Sequence, residues 1–112
     1  MAQSRDDRAG SVFSALADPT RRRVVAELSS DGPLTGTELT GRLPVSRQAV
    51  AKHLAALETA GLAAARRSGR EARFTLRTEP FDEAGAWMAA IGATWEHRLQ
   101  HFKQFVETEE RS

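Results

Sequence analysis

Residues 45–61, VSRQAVAKHLAALETAG, decide how the rest of the chain is read. Val50, Leu54 and Leu57 recur at steps of four and three, which places them on one stripe of an α-helix. Ser46 stands just before the pattern, where its hydroxyl serves as N-cap. Val45 and Val50 hold the N′ and N4 positions of a hydrophobic staple, and Gly61 comes next as a stop. The spacing predicts a helix from Arg47 to about Ala60. With the stripe turned inward, Gln48, Ala51, Lys52 and Ala55 face outward and Arg47 sits at the N-terminal end.

Immediately upstream, Thr35 is placed to cap a short helix, with Glu38 at the capping-box position and Leu39 and Leu43 as its core residues. The link between the two helices is only Leu43-Pro44-Val45-Ser46. That is the length and spacing of a helix-turn-helix, whose second helix needs an apolar side to anchor it and a polar side to enter the major groove. Gln48 suits adenine, and Arg47 suits guanine or a phosphate. Lys52 adds a cation to the same face, His53 beside the inward stripe reads as a packed or phosphate-facing histidine, and the small Ala51 and Ala55 permit close approach of the backbone. The rival reading is an ordinary helical hairpin with a solvated face.

The residues downstream favour the helix-turn-helix. Leu62–Arg67 and Ala72–Arg77 flank Ser68-Gly69-Arg70-Glu71, two short strands around a glycine-containing turn. In the second strand Ala72, Phe74 and Leu76 share one face, while Arg73, Thr75 and Arg77 share the other. The hairpin carries Arg66, Arg67, Arg70 and Arg73, with Arg70 at its tip as the candidate for the minor groove or an adjacent phosphate. For the other three, solvation of an exposed edge strand is the alternative role. The formal net charge of +1 hides a segregation: residues 1–41 hold five basic and six acidic side chains, residues 42–77 eight and two, and residues 79–112 three and seven. A basic middle between acidic ends suits one face made for a polyanion such as double-stranded DNA.

Before this unit, a helix is expected from about Gly10 to Ala17, with Val12, Phe13 and Leu16 on one side. Asp18 and Pro19 then form an N-cap and first helical position for a second helix to about Ser29, burying Val24, Val25 and Leu28. Beyond Pro80, Phe81, Ala84, Met88, Ile91, Trp95, Phe102 and Phe105 keep alternating steps of three and four, with Leu99 one place past its expected position. A helix from Phe81 to Val106 spans about 39 Å, too long to bury within so small a domain. The fold class is therefore mainly α with a small β-hairpin, in the order α-α-α-α-β-β-α of a winged helix-turn-helix. Residues 10–107 are expected to form the domain, with a disordered tail over 1–9 and a C-terminal tail over 108–112.

Composition narrows the function further. At 112 residues, 40% hydrophobic and 28% charged, the chain reads as globular. It has no cysteine, which removes disulfides, thiolate metal sites and cysteine nucleophiles together. No apolar run approaches the roughly 18 residues of a membrane helix, and a cytoplasmic location is expected. No nucleophile elbow, paired-carboxylate site or phosphate-binding glycine loop is present, so an enzyme is not expected. No cofactor is assigned.

The combination Leu16-Ala17-Asp18-Pro19-Thr20-Arg21, the run from Val45 to Leu54, Leu57-Glu58-Thr59-Ala60-Gly61-Leu62 and Arg67-Ser68-Gly69-Arg70 resembles the ArsR/SmtB-type transcriptional regulators over about residues 12–107. The resemblance implies a homodimer formed through the first and last helices, usually a repressor released by a signal. The corresponding interface residues are Val12, Phe13, Leu16, Met88, Ile91, Trp95, Leu99 and Phe102, and the DNA-binding set is Ser46, Arg47, Gln48, Ala51, Lys52, His53, Arg66, Arg67, Arg70 and Arg73. Ala51 replaces a serine often found in the family's recognition helix, which removes one hydrogen-bonding group. Thr40-Gly41-Arg42 stand where metal-sensing members place cysteines. His97 and His101 lie four apart on the last helix, a spacing open to one zinc ion, but the family's acidic-histidine pattern around them is incomplete. They are weak metal candidates beside the plainer reading of two imidazoles near a dimer seam. Trp87 and Trp95 belong either to a dimer core or to an apolar pocket for an unknown small-molecule effector. A protein-interaction module and a histidine-based metal-responsive repressor stand as the competing functions.

Overall fold

The computed structural model describes residues 5–111, with helices α1 (Arg5–Leu16), α2 (Pro19–Asp31), α3 (Gly36–Arg42), α4 (Arg47–Thr59) and α5 (Glu79–Arg111), and strands β1 (Leu34–Thr35), β2 (Ala63–Ser68) and β3 (Glu71–Leu76). The starts of α2 and α3 each have a chemical cause. The Asp18 carboxylate accepts the backbone N–H of Arg21 at 2.9 Å, and Pro19 occupies the first turn. That backbone N–H holds the Asp18 carboxyl below the usual carboxylate range. At α3, Thr35 accepts from the N–H of Glu38 at 3.0 Å, and Glu38 accepts from the N–H of Thr35 at 3.1 Å, a complete capping box. The Thr35 N–H likewise holds the Glu38 carboxyl down.

Thr35 has a second role that its sequence position conceals. Together with Leu34 it forms β1, which pairs antiparallel with β3, so the hairpin is part of a three-stranded sheet of order β1-β3-β2. The order is thus α-α-β-α-α-β-β-α rather than the expected one. A two-residue strand has no alternation to read, and the capping signal accounts for Thr35 by itself. Leu34 and Ala65 lie opposite Phe74 on either side, so the central strand turns its one aromatic ring into the core.

That core collects Val24 and Leu28 from α2, Leu39 from α3, Val50, Leu54 and Leu57 from α4, and Leu62, Ala63 and Phe74 from the sheet. Val25 packs against it only partly. From α1 come Ala9, Val12 and Ala15, which corrects two expectations. The helix begins at Arg5 and not near Gly10, because Ala9 is packed inside and Arg8 forms an ion pair with Glu83 of α5. Polar residues at the start of the chain suggested fraying, yet two of those positions are held by tertiary contacts. Residues 1–4 and 112 lie outside the described residues. Val12, only 2% exposed, is a core residue of its own protomer and not part of an outer face.

The C-terminal helix also exceeds its expected end at Val106 and continues to Arg111. At 33 residues it is about 50 Å long. Only its first turns touch the rest of the chain, chiefly along α1, and Ala84 is its one fully buried residue. The helix therefore projects: the molecule measures 76 × 36 × 19 Å with a radius of gyration of 20.0 Å, against about 13 Å for a compact domain of this length. Among the described residues no helix is long and apolar enough to cross a membrane.

Candidate nucleic-acid interface

The second helix of the helix-turn-helix is fastened by its apolar stripe, and this orients everything else on it. With Val50, Leu54 and Leu57 buried, Arg47, Gln48, Ala51, Lys52 and Ala55 are exposed, as the periodicity requires. Ser46 accepts the backbone N–H of Ala49 at 3.1 Å and fixes where the helix starts. Replacing Ser46 with alanine is expected to destabilise the protein by about 1 kcal/mol, and with glycine by only a few tenths. Urea denaturation of the two variants checks this; equal losses would remove the hydroxyl from that role.

His53 is half-buried at the seam with α2, where Arg21 Nε donates to its Nδ1 at 3.4 Å. It helps seat α4 on α2 and lies off the exposed face. Arg42, counted in the basic middle of the chain, is also committed internally: it pairs with Glu27 at 2.9 Å and Asp31 at 2.6 Å, tying α3 to α2.

The hairpin turns at Gly69-Arg70. Gly69 has φ +61° and Arg70 does not have positive φ, the pattern of a two-residue II′ connection with glycine first. This leaves Arg70 exposed at the tip. The register sorts the remaining arginines by face. Arg67 stands opposite Ala72, on the side that carries Ala63, Ala65 and Phe74, and reaches Glu58 of α4 at 3.4 Å. Arg66 and Arg73 stand directly opposite each other on the other side. Arg73 is balanced by Glu71 at 3.7 Å and Glu38 at 3.8 Å. Among the described residues, Arg47, Arg66 and Arg70 have no carboxylate at ion-pair distance. These carboxylate partners were not anticipated; the only signal was that Glu58 and Glu71 are the two acids within the basic segment.

Helix α4 and the hairpin enclose an open cleft of about 690 Å³, floored by Val50, Leu54 and Phe74 and bordered by Arg47, Ala51 and Arg70. The exposed face of the helix and the tip of the hairpin thus border one concavity.

The profile of the helix-turn-helix domain family matches residues 16–65, from the end of α1 into β2. The HTH-type transcriptional regulator Rv2034 of Mycobacterium tuberculosis is 39% identical over 99 residues, which cover 87% of both chains. Among solved structures, an ArsR-like transcriptional regulator from Rhodococcus sp. RHA1 is 39% identical with a TM-score of 0.77, covering 91% of this chain and 93% of that one. An ArsR family transcriptional regulator, RHA00566, is 36% identical with a TM-score of 0.74 over 86% and 97% of the two chains. This chain belongs to the ArsR family. It is a DNA-binding transcriptional regulator with a winged helix-turn-helix, in which α4 is the recognition helix and the β2–β3 hairpin the wing, and it is not an enzyme.

Away from the DNA-binding unit, this ArsR-family chain presents a long apolar face. Met88, Ile91, Trp95, Leu99 and Phe102 are between 48% and 66% exposed. Phe13, 37% exposed, lies edge-to-face with Trp87 at 5.7 Å, while Leu16 is half-buried beside the core. Trp87, Phe105 and Val106, outside the eight residues named for the interface, are likewise between 36% and 63% exposed. The rings of His97 and His101 are tilted at 54° to each other with centroids 4.6 Å apart. Among the described residues, no group of three or more histidine, cysteine or acidic side chains is arranged to hold a metal ion.

Proposed function

We propose that the protein is a homodimeric repressor that binds a pseudo-palindromic operator, each protomer laying α4 in the major groove. The observation that supports it most is the single concavity bordered by Arg47 and Ala51 of α4 and Arg70 of the wing. Arg47, at its border, and Gln48, beside it on the exposed face of α4, read base edges, Ala51 lets the helix sit deep, and Ser46 and Lys52 contact phosphates. His53 supports the helix from behind. Arg70 and Arg66, without carboxylate partners among the described residues, take the wing's phosphate or minor-groove contacts. Dimerisation through Phe13, Leu16 and the apolar face of α5 places two such helices about 34 Å apart, one turn of the duplex. The repressor role rests on the resemblance to the family. Thiolates have no part in any signal it receives, since the chain has no cysteine.

Binding to a duplex selected from genomic fragments by the purified protein tests this. With about six to ten phosphate contacts per dimer, affinity should fall by roughly 10³–10⁵ between 50 and 200 mM salt. Arg70→Ala should weaken binding to every sequence alike and flatten the salt slope, while Gln48→Ala should relax preference at particular base pairs. Unchanged isotherms for both variants would sink the assignment.

A further inference from the structure

The four arginines of the wing fall into two classes, and the division suggests a second job for the acids around them. Arg67 lies on the side of the hairpin turned toward α4 and faces Glu58. Arg73 lies on the opposite side, between Glu71 of its own strand and Glu38 of α3. Glu38 is itself immobilised, because it accepts the N–H of Thr35 to close the capping box, and Thr35 pairs with Arg73 across the β1–β3 ladder. One carboxylate therefore connects the first helix of the DNA-binding unit, the short strand and the wing. A second, Glu58, connects the recognition helix to the wing from the other side.

We propose that Glu38 and Glu58 are positioning residues for DNA binding: they hold Arg73 and Arg67 so as to fix the angle of the wing against α4, and those two arginines make no direct contact with phosphate. A hairpin is a poor lever by itself, since two strands joined by a two-residue loop have little independent stability. Braces on its two faces leave Arg70, at the tip, aimed where α4 enters the groove. The proposal rests on the DNA-binding role of α4 and Arg70 and adds to it which residues make that geometry rigid.

The sign of one charge deletion tests it. Glu58→Gln removes a negative charge beside the DNA-facing cleft, so bare electrostatics predicts tighter binding. Positioning predicts weaker binding, by about two- to fivefold per protomer for the loss of an exposed ion pair. Glu38→Gln is expected to behave alike, because glutamine at that position preserves the cap and deletes only the charge. Arg67→Gln should match Glu58→Gln, the double variant should be no weaker than either, and the salt slope should stay at the parent's value. Hydrogen exchange at the backbone amides of residues 66–73 should quicken in Glu58→Gln and stay unchanged in Arg70→Ala, a readout that needs no DNA. Tighter or unchanged binding by the glutamine variants, unchanged exchange, or a slope lowered by about 0.9 for each lost contact in Arg67→Gln would overturn the proposal. Failure of the underlying reading looks different: the parent itself then binds no duplex, or Arg70→Ala leaves the slope unchanged.

Discussion

Trp95→Glu should yield a protein that sediments with the mass of one chain and no longer binds its operator at concentrations where the parent saturates it. Trp95 lies midway along the apolar face of α5 and is 59% exposed in the single protomer, so its replacement disturbs little intrachain packing. Glutamate is also a good helix former, and α5 keeps its conformation. The damage falls on association alone. A twofold interface contains every substituted position twice, and an unpaired charge held in an apolar interface costs about 3–5 kcal/mol. Two of them amount to at least about 6 kcal/mol, on the order of 10⁴ in the dimer dissociation constant. Analytical ultracentrifugation at micromolar protein reads the outcome, and circular dichroism confirms that the helix content is retained. A two-chain mass for the variant would take Trp95 out of the interface.

Leu57→Ala is expected to have the largest effect on folding. Leu57 is fully buried among the side chains of α4 and the start of the wing, and its carbonyl accepts the N–H of Leu62 at 2.9 Å across the Ala60–Gly61 stop. Gly61 takes φ +78° there, which turns the chain sharply enough to leave little slack for collapse around a void. Leucine-to-alanine truncation at such sites costs about 2–5 kcal/mol, out of a total stability of about 5–15 kcal/mol. At roughly 4–8 °C per kcal/mol, the melting temperature should drop by about 10 °C or more. Thermal denaturation at fixed protein concentration checks this, with Gln48→Ala on the exposed face as the comparison that should barely move. A loss under about 1 kcal/mol for Leu57→Ala would mean that α4 is not seated as described.

Much of this architecture was legible because its signals are local. The staple of Val45 and Val50, the cap at Ser46 and the stripe of Val50, Leu54 and Leu57 lie within one helix, and the alternation of Ala72, Phe74 and Leu76 lies within one strand. What escaped notice depended on partners distant in sequence. Strand β1 is visible only from Phe74 and Arg73, some forty residues on from Leu34 and Thr35. Likewise the early start of α1 depends on Arg8 meeting Glu83. The same limit applied to the basic residues of the candidate site. Charge counting places Arg42, Arg67 and Arg73 together with Arg70, yet Arg42 is bound to Glu27 and Asp31, and Arg67 and Arg73 face carboxylates brought to them by the fold. Summed charge indicated where a polyanion would be met; only the ion pairs indicate which cations are free to meet it.

Every residue of α5 from Ala86 to Glu110 is exposed in the isolated protomer, and a helix in water without tertiary support is only marginally stable. In the proposed dimer the second copy supplies the tertiary support that this stretch of α5 does not receive from its own chain. Below the concentration at which copies would meet, the apolar face of that stretch stays in water; above it, in the proposed dimer, the face is covered and two recognition surfaces are paired. A regulator that dimerised this way would carry a dosage threshold in its longest helix, so its cellular abundance would be an input in its own right, alongside any signal it senses.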